Sequence, residues 1–326
     1  MYTKIKKSMQ RKCDDMSEQL QKNLSRKEFE ILSTLAEAGS HISQRELANR
    51  TGYSVGTISK IYNSLKENGN VSDRGITAQG INALEPYKVK RAIIIAAGFG
   101  SRLVPITLNT PKPLVRVNGT RMIDTILDAI VSAEIDEIYI VRGYLSEQFD
   151  QLLYKYPKIK FIENPAYNEA NNISSAMCVR YLLKNAYVLE ADLVLHNPKL
   201  IKKYQYSSNF LGIPVKRSDD WCFTVKNGII QSQKIGGEEK SSNPEISVYQ
   251  QVGISYWTEE DGSRLAEHIK MAFDMPGGKE RYWDQVPLVV YPDSYKVEIR
   301  PCEFDDIIEI DTFRELKIID KTYGVV

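Results

Sequence analysis

The chain has little cysteine, little histidine and no long apolar run, and each scarcity removes a class of protein. Four cysteines (Cys13, Cys178, Cys222, Cys302) lie far apart with no Cys-x-x-Cys pair. That argues against a disulfide framework and a structural zinc site, and it suits a reducing, cytoplasmic setting. Three histidines (His41, His196, His268) are too scattered to suggest a histidine metal site. No run of about 18 apolar residues occurs, so no membrane span or membrane partner is expected. The N-terminal stretch is charged and lacks the apolar segment of a secretory signal. A net charge of only +1 excludes a histone-like polycation, though not a local basic module.

What is present is an ordinary globular composition, 42% hydrophobic and 26% charged over 326 residues, which suggests about two domains. Charge divides them. Residues 1–90 carry +5 and the remainder −4. The first part is helix-patterned and the second opens on the apolar run Arg91–Ala96. Pro86 interrupts helix between them. The expected division is a leader over 1–24, a helical domain over 25–89 and an α/β domain over 90–326.

Ser25 opens Ser-Arg-Lys-Glu, a capping box with Glu28. The stripe Phe29, Ile31, Leu32, Leu35 and Ala36 follows, and Gly39 can end the helix. Ser43 and Glu46 repeat the pattern for a second short helix closing at Gly52. A third runs from Ser54 to Gly69, with Val55, Ile58, Ile61, Tyr62 and Leu65 as its expected buried face. Residues 71–80 suit a two-stranded wing with Arg74 at its tip. Together these resemble the winged helix-turn-helix domains of bacterial regulators. The resemblance implies contact with double-stranded DNA through Ser54, Thr57, Lys60, Asn63 and Arg74, small polar and basic groups that reach base edges and phosphates. A helical domain for dimerisation or docking fits the same pattern, and a homodimer is left open.

The strongest signal is an apolar strand running into Ala96-Ala97-Gly98-Phe99-Gly100-Ser101, followed by Arg102 and by Lys112 between two prolines. Small residues let a backbone approach a bulky anion and present its N–H groups. The two cations come to the same place. A dinucleotide fingerprint would need glycine at Leu103. A Walker loop would need Gly-Lys-Ser/Thr after the turn. Neither fits. The segment resembles the signature of the nucleotidyltransferase family, and in particular the Lic-type choline-phosphate cytidylyltransferases, over residues 91–326. The resemblance implies an α/β, Rossmann-like domain with a mixed, mainly parallel sheet. Val104 departs from it, since relatives often carry a basic residue there.

The family also implies Mg²⁺ held by two distant aspartates. Asp192 and Asp311 each follow an apolar strand, and such strand ends can share one crevice. Asp311 also reads as a helix N-cap. Asn171, Asn172 and Ser174 begin an expected helix over 172–183. They match a family stretch beside the nucleotide, with simple capping as the other reading. Tyr144 follows another strand and is placed beside the base. Trp221, Tyr282, Trp283, Asp284 and Glu309 suit a quaternary ammonium, whose charge an aromatic face attracts. Core packing is the alternative for both tryptophans. Lys216 is a candidate for the acceptor phosphate, and Trp257 is assigned to the core.

The expected reaction joins CTP to phosphocholine, giving CDP-choline and pyrophosphate. Lys112, Arg102, Asp192 and Asp311 are its charge-handling residues. The acceptor phosphate is largely ionised near neutral pH, so no general base is needed. A sugar-1-phosphate or aminoethylphosphonate nucleotidylyltransferase is the nearest alternative. A transcription regulator that senses a ligand without turning it over is the more distant one.

Overall fold

The computed structural model describes residues 24–239 and 245–324. The leader expected over 1–24 lies, Leu24 aside, outside them. Internal contacts divide the chain between Tyr87 and Lys88.

The first unit is built from α1 (Arg26–Ala38), α2 (Gln44–Thr51), α3 (Val55–Glu67), β1 (Val71–Ser72), β2 (Gly75–Ile76) and α4 (Ala78–Leu84). Local chemistry sets each helix end. The Ser25 hydroxyl accepts from the Glu28 N–H, and the Glu28 carboxylate accepts from the Ser25 N–H. Gly39 and Gly52 close α1 and α2 in the left-handed region that glycine adopts without strain. Ile31, Leu32, Leu35, Leu47, Ile58 and Leu65 are fully enclosed among the three helices, each contributing about 1.5–3 kcal/mol. The Tyr62 hydroxyl donates to the Ser72 carbonyl at 2.8 Å and ties α3 to the hairpin.

Val55 is not buried as expected, being 48% exposed. At 3.6 residues per turn the stripe centres on Ile58, Tyr62 and Leu65, and Val55 and half-buried Ile61 flank it by about 60° on either side.

The second unit holds a nine-stranded mixed sheet. Its parallel half is β7–β6–β3–β8, comprising β3 (Arg91–Ile95), β6 (Glu137–Arg142), β7 (Ile159–Glu163) and β8 (Ala186–Glu190). The short hairpin β4 (Arg116–Val117) and β5 (Thr120–Arg121) lies apart. Beyond β8 run β13 (Ile246–Trp257), β11 (Arg217–Lys226), β12 (Ile229–Glu238), β14 (Glu298–Pro301) and β10 (Asn209–Pro214). Here β10 also pairs β13, so this end folds back on itself.

Successive side chains of β3 point to opposite faces, and both faces are covered. Ala92 and Ile94 join a core with α5 (Met122–Ser132). Ile93 and Ile95 join one with α6 (Ile173–Val179) and α7 (Glu259–Asp274). The helix expected over 172–183 is α6 continued by a tighter turn, Arg180–Leu182. A separate antiparallel ribbon joins β9 (Leu193–Leu195) to β15 (Ile307–Glu309), with α8 (Phe313–Ile319) following. Leu103 and Val115 pack against Val194, Ile310 and Leu316. The glycine-turn segment is thereby fastened to the ribbon beside which the acidic residues stand. No helix among the described residues is long and apolar enough to cross a membrane.

Candidate active site

The turn after β3 is held from both ends. The Ala96 N–H donates to the Val141 carbonyl at 2.8 Å, and the Tyr144 N–H donates to the Ala97 carbonyl at 3.1 Å. Among the described residues, no protein group accepts from the N–H groups of Gly98 or Phe99. Gly100 has φ +68°, and a Cβ there would lie 2.9 Å from the Lys112 Cβ. Glycine is therefore what lets Lys112 come up behind the turn. Ala96, Gly98, Gly100, Ser101, Arg102 and Lys112 line a cleft of about 410 Å³. Ala97 and Phe99, also expected there, do not line it. Tyr144 does not line it either: its hydroxyl donates to the Thr107 carbonyl at 2.9 Å and its ring packs on Phe99 at 4.4 Å, so it braces the loop.

The antiparallel pairing of β9 with β15 sets two Glu-x-Asp segments side by side, Glu190-Ala191-Asp192 and Glu309-Ile310-Asp311. Glu309 pairs with Leu193, and the Ile310 N–H donates to the Asp192 carbonyl at 3.2 Å. Both aspartates meet Lys112, whose Nζ lies 2.8 Å from Asp192 Oδ2 and 3.0 Å from Asp311 Oδ1. Arg102 also reaches Asp311 Oδ1, at 2.8 Å. Burial works against charge on Lys112, but the two carboxylates outweigh it and hold its pKa above the usual lysine value. The N-cap of α8 is Thr312, boxed by Glu315, so Asp311 is not engaged in that role.

Beside the expected pair, and among the described residues, Glu190, Asp192 and Glu309 form a carboxylate cluster with one oxygen of each within 4.8 Å of the others. Burial, and then the neighbouring Asp192, push the Glu190 and Glu309 carboxyls well above the usual range. Glu309 is open to the cleft, yet protein walls it on most sides, and that enclosure governs its titration. Asp192 Oδ1 is buried and has no partner. Hard oxygens at this spacing, one of them unsatisfied, fit a small divalent cation.

At the far end of the cleft stand Trp221 and Tyr282, edge to face at 5.8 Å, with Asp220, Gln251, Asp284 and Asn172. Asp284 is buried. Its Oδ2 accepts from both Gln233, at 2.7 Å, and Gln251, while Oδ1 meets no hydrogen-bond partner. Burial raises its pKa, opposed by those two amides and by the nearby N–H groups of its own residue and Gln285.

Several expected contacts fall elsewhere. Trp283 is 2% exposed and belongs to the core, stacked on Phe210 at 6.0 Å and edge-on to Trp257. Neighbouring Tyr282 points the other way, into the cleft. Ser174 is buried and donates to the Asn171 carbonyl at 2.8 Å. Asn171 in turn donates to the Glu280 carbonyl at 3.2 Å. Both hold the start of α6, and of the three only Asn172 lines the cleft, its Oδ1 accepting from the Trp283 N–H at 2.9 Å. Lys216 is exposed, between β10 and β11, and does not line the cleft.

Sequence reasoning missed Gln233, Gln251, Gly253 and Asp220 and left Glu190 without a definite role. The repeated Glu-x-Asp at two strand ends was the available signal for Glu190. In the first unit, Lys60, Asn63 and Arg74 are exposed. The Ser54 hydroxyl is engaged as the α3 cap and sits 2.9 Å from Thr57 Oγ1.

Residues 91–271 match the family model described as nucleotidyl transferase, and residues 24–71 match winged helix-turn-helix DNA-binding. The chain is 35% identical to a 2-aminoethylphosphonate cytidylyltransferase from Lancefieldella rimae, over 71% of this chain and 92% of that one. It is 34% identical to a choline-phosphate cytidylyltransferase from Haemophilus influenzae, over 68% and 91%. The solved CTP:phosphocholine cytidylyltransferase of Streptococcus pneumoniae superposes with a TM-score of 0.64 at 28% identity, covering 72% of this chain and 99% of that one. With the glycine turn, the paired Glu-x-Asp segments and these matches in hand, the chain belongs to the nucleotidyl transferase family.

Proposed function

We propose that the second unit transfers the cytidylyl group of CTP to the phosphate or phosphonate of a small amine, releasing pyrophosphate. The observation that carries this is the convergence of both Glu-x-Asp segments on Lys112 beside the Gly98–Ser101 turn. The cleft holds six carboxylates (Glu190, Asp192, Asp220, Asp284, Glu309, Asp311) against two cations, Arg102 and Lys112. Such a lining repels a bare triphosphate and calls for positive charge from its ligands. Mg²⁺ would be held by Asp192 and Asp311 with Glu190 and Glu309 adjoining. When bound it neutralises phosphate charge and polarises the phosphoryl oxygens.

The chain's own residues do the rest. The free N–H group of Gly98 receives a phosphate oxygen, and Arg102 steadies the departing pyrophosphate. Lys112 is drawn between two carboxylates and is poised to compensate charge shifting at the transferred group. Ser101 orients the nucleoside end, whereas Asn172 stands with the acceptor residues. The acceptor's ionised oxygen attacks directly, so positioning replaces base catalysis.

The names of the two curated relatives share an acceptor with a nitrogen cation close to a phosphorus oxyanion. Trp221 with Tyr282 offers aromatic surface to such a cation, which favours phosphocholine. The lone acceptor atom on Asp284 favours an amine that carries N–H. For the first unit we propose DNA contact through exposed Lys60, Asn63 and Arg74.

The test is pyrophosphate release from each of four nucleoside triphosphates against phosphocholine, phosphoethanolamine, aminoethylphosphonate and glucose 1-phosphate, with Mg²⁺. CTP with the amine acceptors is the expected pairing. Preference for glucose 1-phosphate, or for another base, would overturn the reading.

A further inference from the structure

The far end of the cleft contains a feature that a cage for a quaternary ammonium does not need. Asp284 is 4% exposed, and the two side-chain amides that reach it, those of Gln233 and Gln251, converge on one oxygen, Oδ2. These glutamines come from β12 and β13, and they are locked to each other, Gln233 donating to Gln251 Oε1 at 2.6 Å. The clamp fixes the carboxyl plane and leaves Oδ1 buried, without a partner, on a residue that lines the cleft. A buried acceptor left unpaired is costly, and a ligand that donates to it recovers that cost.

A trimethylammonium group has charge but no N–H, so it leaves Oδ1 unsatisfied. It also meets fewer aromatic walls than the sequence promised, because Trp283 is turned into the core. A group with even one N–H can satisfy Oδ1 while its remaining substituents lie against Trp221 and Tyr282. We infer that Gln233 and Gln251 are specificity-determining positioning residues, and that the acceptor is an aminoalkyl phosphonate or phosphate whose nitrogen keeps at least one hydrogen. This rests on the cytidylyl-transfer reading and narrows its acceptor.

The experiment is a graded acceptor series on the full chain with CTP and Mg²⁺: phosphoethanolamine and its N-methyl, N,N-dimethyl and N,N,N-trimethyl forms, the last being phosphocholine. Bulk grows by one methyl at each step, whereas hydrogen-bond capacity is lost entirely only at the last. The expected result is a modest decline across the first three and a drop of about tenfold or more in kcat/KM at the fourth, carried mainly by KM. In Gln251→Leu that final step should shrink, because KM rises for acceptors with N–H, while KM for CTP stays unchanged. A smooth decline without a final step, or phosphocholine as the best acceptor, overturns the inference in the wild-type protein whatever the variant does. Those outcomes leave cytidylyl transfer standing. No release from any of the four amines would instead remove the amine-acceptor reading and this inference with it.

Discussion

Tyr282 and Trp283 are adjacent in sequence and opposite in consequence. Tyr282 faces the cleft and is 41% exposed, whereas Trp283 is sealed between Phe210 and Trp257. Their substitutions should therefore read out in different experiments. Trp283→Ala should cost about 3–5 kcal/mol in denaturant unfolding, the range for emptying a buried aromatic site. Trp221→Ala should leave the unfolding midpoint nearly in place and raise KM for the acceptor but not for CTP. If Trp283→Ala kept wild-type stability and altered only acceptor KM, its assignment to the core would fail. The two roles were indistinguishable in the sequence, where both tryptophans stand in polar company. Polar neighbours along the chain say nothing about which side of a turn a ring takes.

Helices and turns were legible because their signals are local. Ser25 with Glu28, Ser43, Ser54 and the closing glycines fixed α1 to α3 almost to the residue. The glycine turn and the two aspartates at strand ends were equally plain. Contacts made across the sheet were not. Gln233, Gln251 and Gly253 stand on strands that neither adjoin β3 in sequence nor carry a motif, and only the sheet order brings Gln251 and Gly253 to the cleft and Gln233 against Asp284. Gly253 shows what the element contributes. It lies on β13 beside β8, and a Cβ added there would sit 2.5 Å from Glu190 Oε2 and 2.8 Å from Glu190 Cβ. The strand thus makes room for a carboxylate that nothing else could accommodate. Gly253→Ala should cost about 1–3 kcal/mol through overpacking and lower turnover by displacing Glu190. In a Glu190→Ala background the same change should cost markedly less, a coupling that a double-mutant cycle of unfolding free energies measures. Equal costs in both backgrounds would mean that the glycine serves the strand alone.

For the whole molecule, the acidic cleft puts stability and ligand binding in opposition. Glu190 and Glu309 are held well above the usual carboxylate range by burial and by neighbouring Asp192. An acid whose pKa is raised by folding contributes fully below its unfolded value and loses that contribution as pH climbs through the folded one. Surface groups act at the other end. Asp73, beside Lys66, and Asp136, beside Lys158, have lowered pKa values and forfeit stability only as pH falls below the ordinary range. The metal-free protein should therefore lose thermal stability as pH rises from about 5 toward about 8. Mg²⁺ should restore it most at the upper end, because a divalent cation removes the repulsion that ionisation creates. Glu190→Gln should flatten the same limb without metal, since the amide cannot ionise. Tm measured across that range, with and without Mg²⁺, for both proteins decides the matter. A wild-type Tm that is level with pH and indifferent to Mg²⁺ would mean that the three carboxylates are not held in mutual strain. The case for a cation site at their centre would then lose its electrostatic basis.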